Sequence, residues 1–394
     1  MRWTRQDARV QLRIFAIPPW ALLTDHRPYG DGLVAFGFLR ELAARGHELH
    51  VAAHRVDLRD PVPPNLHLHR LGEGDEPGPL DRVKLMVRLR RLHAALERER
   101  PFDVVHQLNP VEAGVTLGLP RSTCPLVLGP YVPDWDRDAQ VPGAIVNPAA
   151  LLTKRVVRAA QQRRATAALV STAAALAVIE PSARRRLTIE ELPPGIDAGA
   201  WREGPEGGGG NGILFLANLS FRKGIHDLLD AFALTARQLP DARLVVAGDG
   251  PELEAVRGRV RTTQALAKVQ LLGRVDTAGA VAALHACDLF CAPSRAEPFG
   301  MAALEAMACG RAVVATDAGG LRHLVSDEGG RKVRPGDVNQ LAAVLTELLT
   351  DTETRRAMGR HNRAAVERSF AWPRVVDRLE VLYERAIAST VHTP

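Results

Sequence analysis

Glu297 and Glu305 stand eight residues apart in Arg295-Ala296-Glu297-Pro298-Phe299-Gly300-Met301-Ala302-Ala303-Leu304-Glu305-Ala306-Met307-Ala308-Cys309-Gly310. A Pro-Phe-Gly turn separates them and gives way to an apolar helical run, and the strand-like stretch 286–294 comes just before. This order puts Glu297 on a loop leaving a strand and Glu305 about two turns into a helix. Backbone N–H groups of Phe299, Gly300 and Met301 are left without partners at the positive end of that helix, which makes an anion site. Carboxylates beside an anion site suit a ligand that is anionic at one end and rich in hydroxyls at the other. A nucleotide sugar has that form: phosphates on the N–H groups, ribose hydroxyls on one glutamate, sugar hydroxyls on the other.

The elements that must position these groups follow from the apolar pattern. Short apolar runs alternate with helical patterns, which predicts parallel sheet covered on both faces. In the first half the strands fall at Leu12–Ile17, Glu48–Ala53, Leu66–Arg70, Val104–His106, Leu126–Gly129, Leu169–Ser171 and Ala177–Glu180, with helices including Leu33–Ala44, Leu80–Arg98 and Ala149–Thr166. A Gly- and Pro-rich run, residues 193–212, reads as a linker. A second set then has strands at Ile213–Leu216, Ala242–Ala247, Val269–Leu272, Leu289–Ala292 and Ala312–Thr316, with helices between. The expected fold class is α/β: two doubly wound, Rossmann-like domains facing a cleft. The divisions are residues 1–195, residues 196–371 and a terminal helical segment, residues 372–394.

The stretch from Glu297 to Glu305, with Gly310-Arg311-Ala312-Val313-Val314-Ala315-Thr316-Asp317-Ala318-Gly319-Gly320 downstream, resembles the Glu-x7-Glu region of glycosyltransferase family 4, retaining enzymes of the GT-B fold. The likeness is strong over about 210–385 and looser before. It implies that Glu305 binds ribose and that Glu297, with the amides of Phe299, Gly300 and Met301, holds the transferring sugar. Leu216-Ala217-Asn218-Leu219-Ser220-Phe221-Arg222-Lys223-Gly224 resembles the family's Arg…Lys-Gly diphosphate clamp. Here Asn218 stands where the first arginine is usual, and Arg222 is either a substitute for it or a surface guanidinium. Lys223 adds its ammonium to a helix start. Gly248 and Gly250 fit the family's Gly-x-Gly-Pro turn, and also an ordinary strand-to-helix turn. At Arg274-Val275 the backbone of Val275 would read the base and Arg274 would stack on it. After Gly319-Gly320 the family's Pro-Glu is replaced by Arg322 and His323, one residue further on. The resemblance also implies that the terminal segment crosses back to the first domain.

On the acceptor side, Gly30-Asp31-Gly32 replaces a Gly-Gly loop, with its backbone amides expected toward the leaving diphosphate and Asp31 toward an acceptor hydroxyl or amine. His106 occupies the first position of a His-x-His that ends here in Leu108, so it reads either as a catalytic imidazole or as a structural one, and Asn109 could supply a polar contact. Tyr131, Asp134 and Trp135 lie on a segment with three aspartates, suited to a cationic acceptor or to a solvated loop.

The expected activity is transfer of a hexosyl group from a nucleotide sugar, UDP-linked, to a hydroxyl of a small molecule, lipid or glycan. No cofactor and no metal are expected, since no Asp-x-Asp stands in a metal-binding context. The rivals are an epimerase or phosphorylase on the same fold and a nucleotide-sugar-binding protein without turnover. Composition allows this: 394 residues carry 46% hydrophobic residues and a net charge of +6. The basic stretches 82–91 and 154–164 suggest either solvated helix faces or a weak peripheral membrane contact, and lack the interleaved aromatics of a nucleic-acid binder. Cys124, Cys287, Cys291 and Cys309 read as core thiols of a reducing compartment, and no window is apolar enough to span a bilayer, so a cytoplasmic location is expected.

Overall fold

The computed structural model describes residues 10–26, 30–72, 79–110, 113–120, 124–133, 148–204 and 212–391. Its strands form two large parallel sheets and a two-stranded parallel pair, Leu23–Thr24 with Val56–Asp57. The first runs, in spatial order, Leu66–Arg70, Glu48–Ala53, Arg13–Ile17, Val104–Leu108, Leu126–Tyr131, Ala167–Val170, Thr188–Glu191. The second runs Val269–Gly273, Arg243–Ala247, Gly212–Leu216, Leu289–Ala292, Ala312–Thr316, Gly330–Val333. Both follow the doubly wound pattern in which the first strand lies centrally and the chain then winds outward each way. In such a sheet the crevice opens outside the carboxyl ends of the strands, where the winding reverses.

Most expected elements appear within two residues of their sequence positions. Ala177–Glu180 is not a strand: a 3-10 helix covers Ala173–Val178, Pro181 opens a short helix, and the pairing strand is Thr188–Glu191. Four alanines in that segment suit a tight turn of helix better than a strand, and Pro181 is favoured in a first helical turn. Gly330–Val333, which sequence reading passed over, completes the second sheet. Helix Met301–Ala308 begins so late that Glu305 sits about one turn in, not two.

The last helix, Trp372–Val391, packs on the helix Gly30–Ala44 of the first sheet. Its Trp372 ring fits between two glycines. A Cβ on Gly37 would lie 2.0 Å from Trp372 Cζ2, and one on Gly195 2.3 Å from Cε3. Phe38 meets the same ring edge-on at 4.9 Å. Arg45 donates to Asp377 at 2.8 Å and Glu380 at 2.6 Å, and His47 Nε2 lies 2.9 Å from Glu380. Residues 196 and 371 form an isolated parallel bridge, so the two chain segments passing between the sheets are paired. Trp372→Ala empties the double-glycine slot and is expected to cost ~3–5 kcal/mol. Urea unfolding would show this as a lower midpoint.

Candidate active site

Two loops flank the reversal point of the second sheet. One follows Gly212–Leu216 and contains a 3-10 turn at Phe221–Lys223; the other follows Leu289–Ala292 and contains Glu297. Lys223 Nζ donates to Glu297 Oε2 across this gap at 2.5 Å, with both side chains mostly buried. Ser294 Oγ donates to the same oxygen at 3.1 Å, and Arg222 Nη1 donates to the carbonyl of Ala296 at 2.8 Å. Arg222 is thus bound to the Glu297 loop rather than standing free on the surface.

The loop is held by backbone that only glycine fits. Gly224 has φ 71°, and a Cβ there would sit 1.9 Å from the carbonyl oxygen of Pro293. Gly319 has φ 51° and its Cβ would meet the carbonyl oxygen of Glu297 at 2.1 Å, while the N–H of Gly320 donates to that same oxygen at 2.7 Å. The glycine pair after Ala312–Thr316 therefore clamps Glu297 from behind. Arg322, at the altered family position, donates to Asp317 at 2.8 Å.

Helix Met301–Ala308 starts from Gly300 in the left-handed region, φ 109°. Its first N–H groups have no acceptor within the helix and point along the positive dipole end. Phe299 is buried in the second core, and Met301 packs against both cores, so this helix start abuts the first sheet. Glu305 lies partly buried beneath, its carboxyl pushed up to about 8 by burial, with Lys223 pulling the other way. In the ligand-free site burial thus favours the protonated form of Glu305, while Glu297 is paired with Lys223.

The other donor-side positions line the adjacent strand ends. Ala217 N–H donates to Ala247 and Leu219 N–H to Asp249, so the Asn218 loop is stitched to the Gly248–Gly250 turn. A Cβ on Gly248 would lie 1.8 Å from the Ala217 carbonyl, which makes that glycine a packing requirement as well. Asn218 is exposed; Arg274 is exposed with its nearest carboxylate, Asp249, at 3.9 Å, and Val275 is half-buried after the strand Val269–Gly273.

The first sheet has a counterpart. Asn109, which follows Val104–Leu108 with φ 49°, donates from Nδ2 to Asp31 Oδ1 at 2.9 Å. Burial raises the Asp31 carboxyl above its ordinary value, and the Asn109 bond partly offsets this. Gly30, Asp31 and Gly32 are not a loop before the helix but its first turn, so their amides belong to the start of Gly30–Ala44. Four residues expected at the acceptor or in catalysis are corrected or lie outside the described residues. His106 is 1% exposed; its Nδ1 lies 2.6 Å from the Tyr383 hydroxyl and its Nε2 3.0 Å from the Gly129 carbonyl. Burial lowers its pKa to about 4, and the imidazole ties the terminal helix to the sheet instead of facing a ligand. Tyr131 is 4% exposed within a satellite core, so its ring packs rather than contacting an acceptor. Asp134 and Trp135 lie outside the described residues. His106→Leu would remove the imidazole from the buried Tyr383 hydroxyl, while the Gly129 carbonyl keeps the Asn109 N–H, a loss of about 1–3 kcal/mol in stability. Turnover measured well below the melting temperature is expected to stay within about threefold of the parent.

Ser294 and Thr316 were missed by sequence reading. The Thr316 hydroxyl donates to the Ser294 carbonyl, and Ser294 in turn donates to Glu297. The Ser-x-x-Glu spacing was the available signal. Among the described residues one group, Glu48, His50 and His67, brings three metal-type ligand atoms within 4.8 Å. Arg13 already fills it, donating to Glu48 at 2.9 Å and lying 3.2 Å from His50 Nε2. This group lies near the starts of its strands, at the far end of the sheet from the crevice.

Two doubly wound sheets with a phosphate-suited helix start between them define the GT-B class of sugar-transferring folds. A sucrose-phosphate synthase from Thermosynechococcus elongatus superposes with a TM-score of 0.78 at 21% identity, over 96% of this chain and 100% of that one. Anabaena HepE in complex with UDP gives 0.71 at 18% identity, over 95% and 100%. The family description "Glycosyl transferase 4-like domain" matches residues 32–195, and "Glycosyl transferases group 1" matches residues 202–365. The chain belongs to glycosyltransferase family 4. Among curated relatives, the glycogen synthase of Mycobacterium tuberculosis is 31% identical over 48% of this chain and 46% of its own length. The phosphatidyl-myo-inositol mannosyltransferase of Mycobacterium leprae is 32% identical over 50% and 54%. The chain spans about half the length of the curated relatives it matches.

Proposed function

We propose that this chain is a retaining glycosyltransferase that moves a hexosyl group from a nucleotide sugar, a UDP-hexose, to an acceptor hydroxyl without a metal ion. The observation that carries the reading is the Lys223–Glu297 pair at 2.5 Å across the reversal point, beside the free helix start at Met301. The donor diphosphate would lie on that helix start and share the Lys223 ammonium, with Arg222 alongside. Glu297, relieved of part of its ion pair, would accept hydroxyls of the sugar. Glu305 would take the ribose hydroxyls.

In the step itself the bond from the anomeric carbon to the phosphate oxygen breaks, and its electron pair goes to the diphosphate. The acceptor oxygen bonds to the same face of that carbon, and its proton passes to the departing phosphate oxygen. The products are the glycoside and the nucleoside diphosphate. The protein would orient both substrates and stabilise the charge growing on the diphosphate, the task of preorganised N–H groups and cations. The exposed run Arg82, Val83, Lys84 and Val87 on the helix Pro79–Glu99 would give the protein a peripheral hold on an anionic membrane. No helix among the described residues is long and apolar enough to cross one.

The test is thermal stabilisation by a panel of UDP-, GDP-, ADP- and dTDP-sugars, followed by acceptor-dependent release of the nucleoside diphosphate and NMR of the product's anomeric configuration. Inversion, or dependence on added divalent metal after chelation, refutes those parts of the reading. A new nucleotide sugar formed without acceptor points to epimerisation. Stabilisation without turnover on any acceptor points to a binding protein.

A further inference from the structure

Lys223 and Glu297 meet because their two loops lie side by side in register. The Arg295 guanidinium lies over the Phe221 ring, its Cζ 4.7 Å from the centroid. Arg222 Nη1 donates to the Ala296 carbonyl at 2.8 Å, and Lys223 Nζ donates to Glu297 Oε2 at 2.5 Å. Consecutive residues of one loop, Phe221, Arg222 and Lys223, thus face consecutive residues of the other, Arg295, Ala296 and Glu297, in the same order. The backbone N–H of Arg295 adds a bond to the Arg222 carbonyl at 2.8 Å. Residues of an extended chain are spaced about 3.3–3.6 Å apart. A slip of one residue would therefore set the Lys223 ammonium beside Ala296 or Pro298 and empty the Glu297 contact.

The three cations in this stitching are not equivalent. In the transferase reading the diphosphate shares Lys223 and lies alongside Arg222, so these two side chains change partners when donor binds. Arg295 is anchored instead on the loop and helix that carry them. Its plane covers the Phe221 ring, and its Nη2 donates at 2.7 Å to Asp227 Oδ1 in the first turn of the helix Ile225–Gln238. A guanidinium can stack with its face while it bonds with its edge, which an ammonium cannot. The Asp227 side chain is mostly buried, and its Oδ2 has no hydrogen-bond partner, so the Arg295 guanidinium is the bonded counter-charge of this carboxylate. We propose that Arg295 is a positioning residue for transfer: held by Phe221 and Asp227, it keeps the two loops in register while Lys223 and Arg222 engage the donor, and so holds the Lys223 ammonium where charge grows on the diphosphate. Its effect on catalysis rests on the transferase reading, whereas the register is a property of the fold.

The test is a double-mutant cycle on kcat together with a crystal structure. Arg295→Met/Asp227→Asn removes the guanidinium without leaving a buried carboxylate unpaired. It is expected to lower kcat by about ten- to a hundredfold, the scale of a misplacement of ~1 Å, with donor KM changed less than about threefold. Added to Lys223→Ala, the same two substitutions are expected to cost less than about threefold, because the group they position is already gone. An equal loss with and without Lys223 means that Arg295 acts by another route, and overturns the proposal. The crystal structure of Arg295→Met/Asp227→Asn reads the register directly. Lys223 Nζ is expected beyond hydrogen-bond distance of Glu297 Oε2, and an intact pair overturns the proposal even where kcat has fallen. If this variant does not fold, Phe221→Leu, which removes the stacking face and keeps the Arg295–Asp227 ion pair, carries the same cycle and the same structure with the same two outcomes. Absence of turnover and of donor stabilisation in the parent chain would sink the transferase reading, and the crystal structure would then still decide whether Arg295 sets the register.

Discussion

Glu305→Ala abolishes the thermal stabilisation given by a nucleotide sugar and lowers kcat/KM by about a hundredfold or more, if this carboxyl holds the ribose. A site built to bond hydroxyls loses heavily when its buried polar partner is removed. The pH dependence separates this from simple loss of structure. In the ligand-free fold burial raises the Glu305 carboxyl from 4.5 to about 8. The folded protein therefore holds a proton that the unfolded chain has released over that window. Stability from this group is fully present below pH 4.5 and declines as pH rises through about 8. Ribose hydroxyls donating to the carboxyl favour its ionised form, so donor affinity is expected to increase as pH rises from about 6.5 to 8.5. Glu305→Gln cannot ionise. It should flatten both profiles and make the ligand-free protein more stable than the parent at pH 8.5, although it binds donor poorly. Calorimetric donor titrations and melting curves across pH measure all three effects. A pH-independent donor affinity in the parent chain would contradict this role.

Lys223→Ala lowers kcat by about a hundred- to a thousandfold, with a smaller change in donor KM. That is the loss expected when one preorganised donor to a developing oxyanion is removed, ~2.7–4 kcal/mol. The effect has a second component. Lys223 is the cation held against Glu297 at 2.5 Å, so its removal leaves that carboxylate with the Ser294 hydroxyl but no ammonium. An unpaired, largely buried carboxylate facing an incoming diphosphate repels it. A double-mutant cycle with Glu297→Gln separates the two. If Lys223 acts only by neutralising Glu297, the double variant recovers most of the activity. If it binds the diphosphate, the double variant stays near the level of Lys223→Ala. Equal kcat for Lys223→Ala and the parent would remove Lys223 from the site.

Much of this was legible in one dimension. The alternation of apolar runs with helical patterns set the parallel sheets and their strands, because side-chain periodicity and burial act locally. The segment from Arg295 to Gly310 was readable because its turn, its helix start and its two glutamates all lie within one loop and one helix. Residues were misplaced where the decision was not local. His106 has the composition of a catalytic imidazole, yet the Tyr383 hydroxyl reaches it from 277 residues away and turns it into a core group. Tyr131 looked like a ligand contact and proved to be a packed ring. The strand expected at Ala177–Glu180 was a helical turn, because the four alanines of Ala173–Val178 favour helix over strand and Pro181 opens a helix directly after.

The sequence by itself determined the class of fold and the loop that carries Glu297. Those properties depend on neighbours within a few positions. Only the tertiary structure decided that Lys223 meets Glu297, that Asn109 meets Asp31, and that Arg295 meets Phe221 and Asp227. Each of these joins chain segments separated by tens of residues. The strand order of a doubly wound sheet brings them together, and no local pattern encodes that distance.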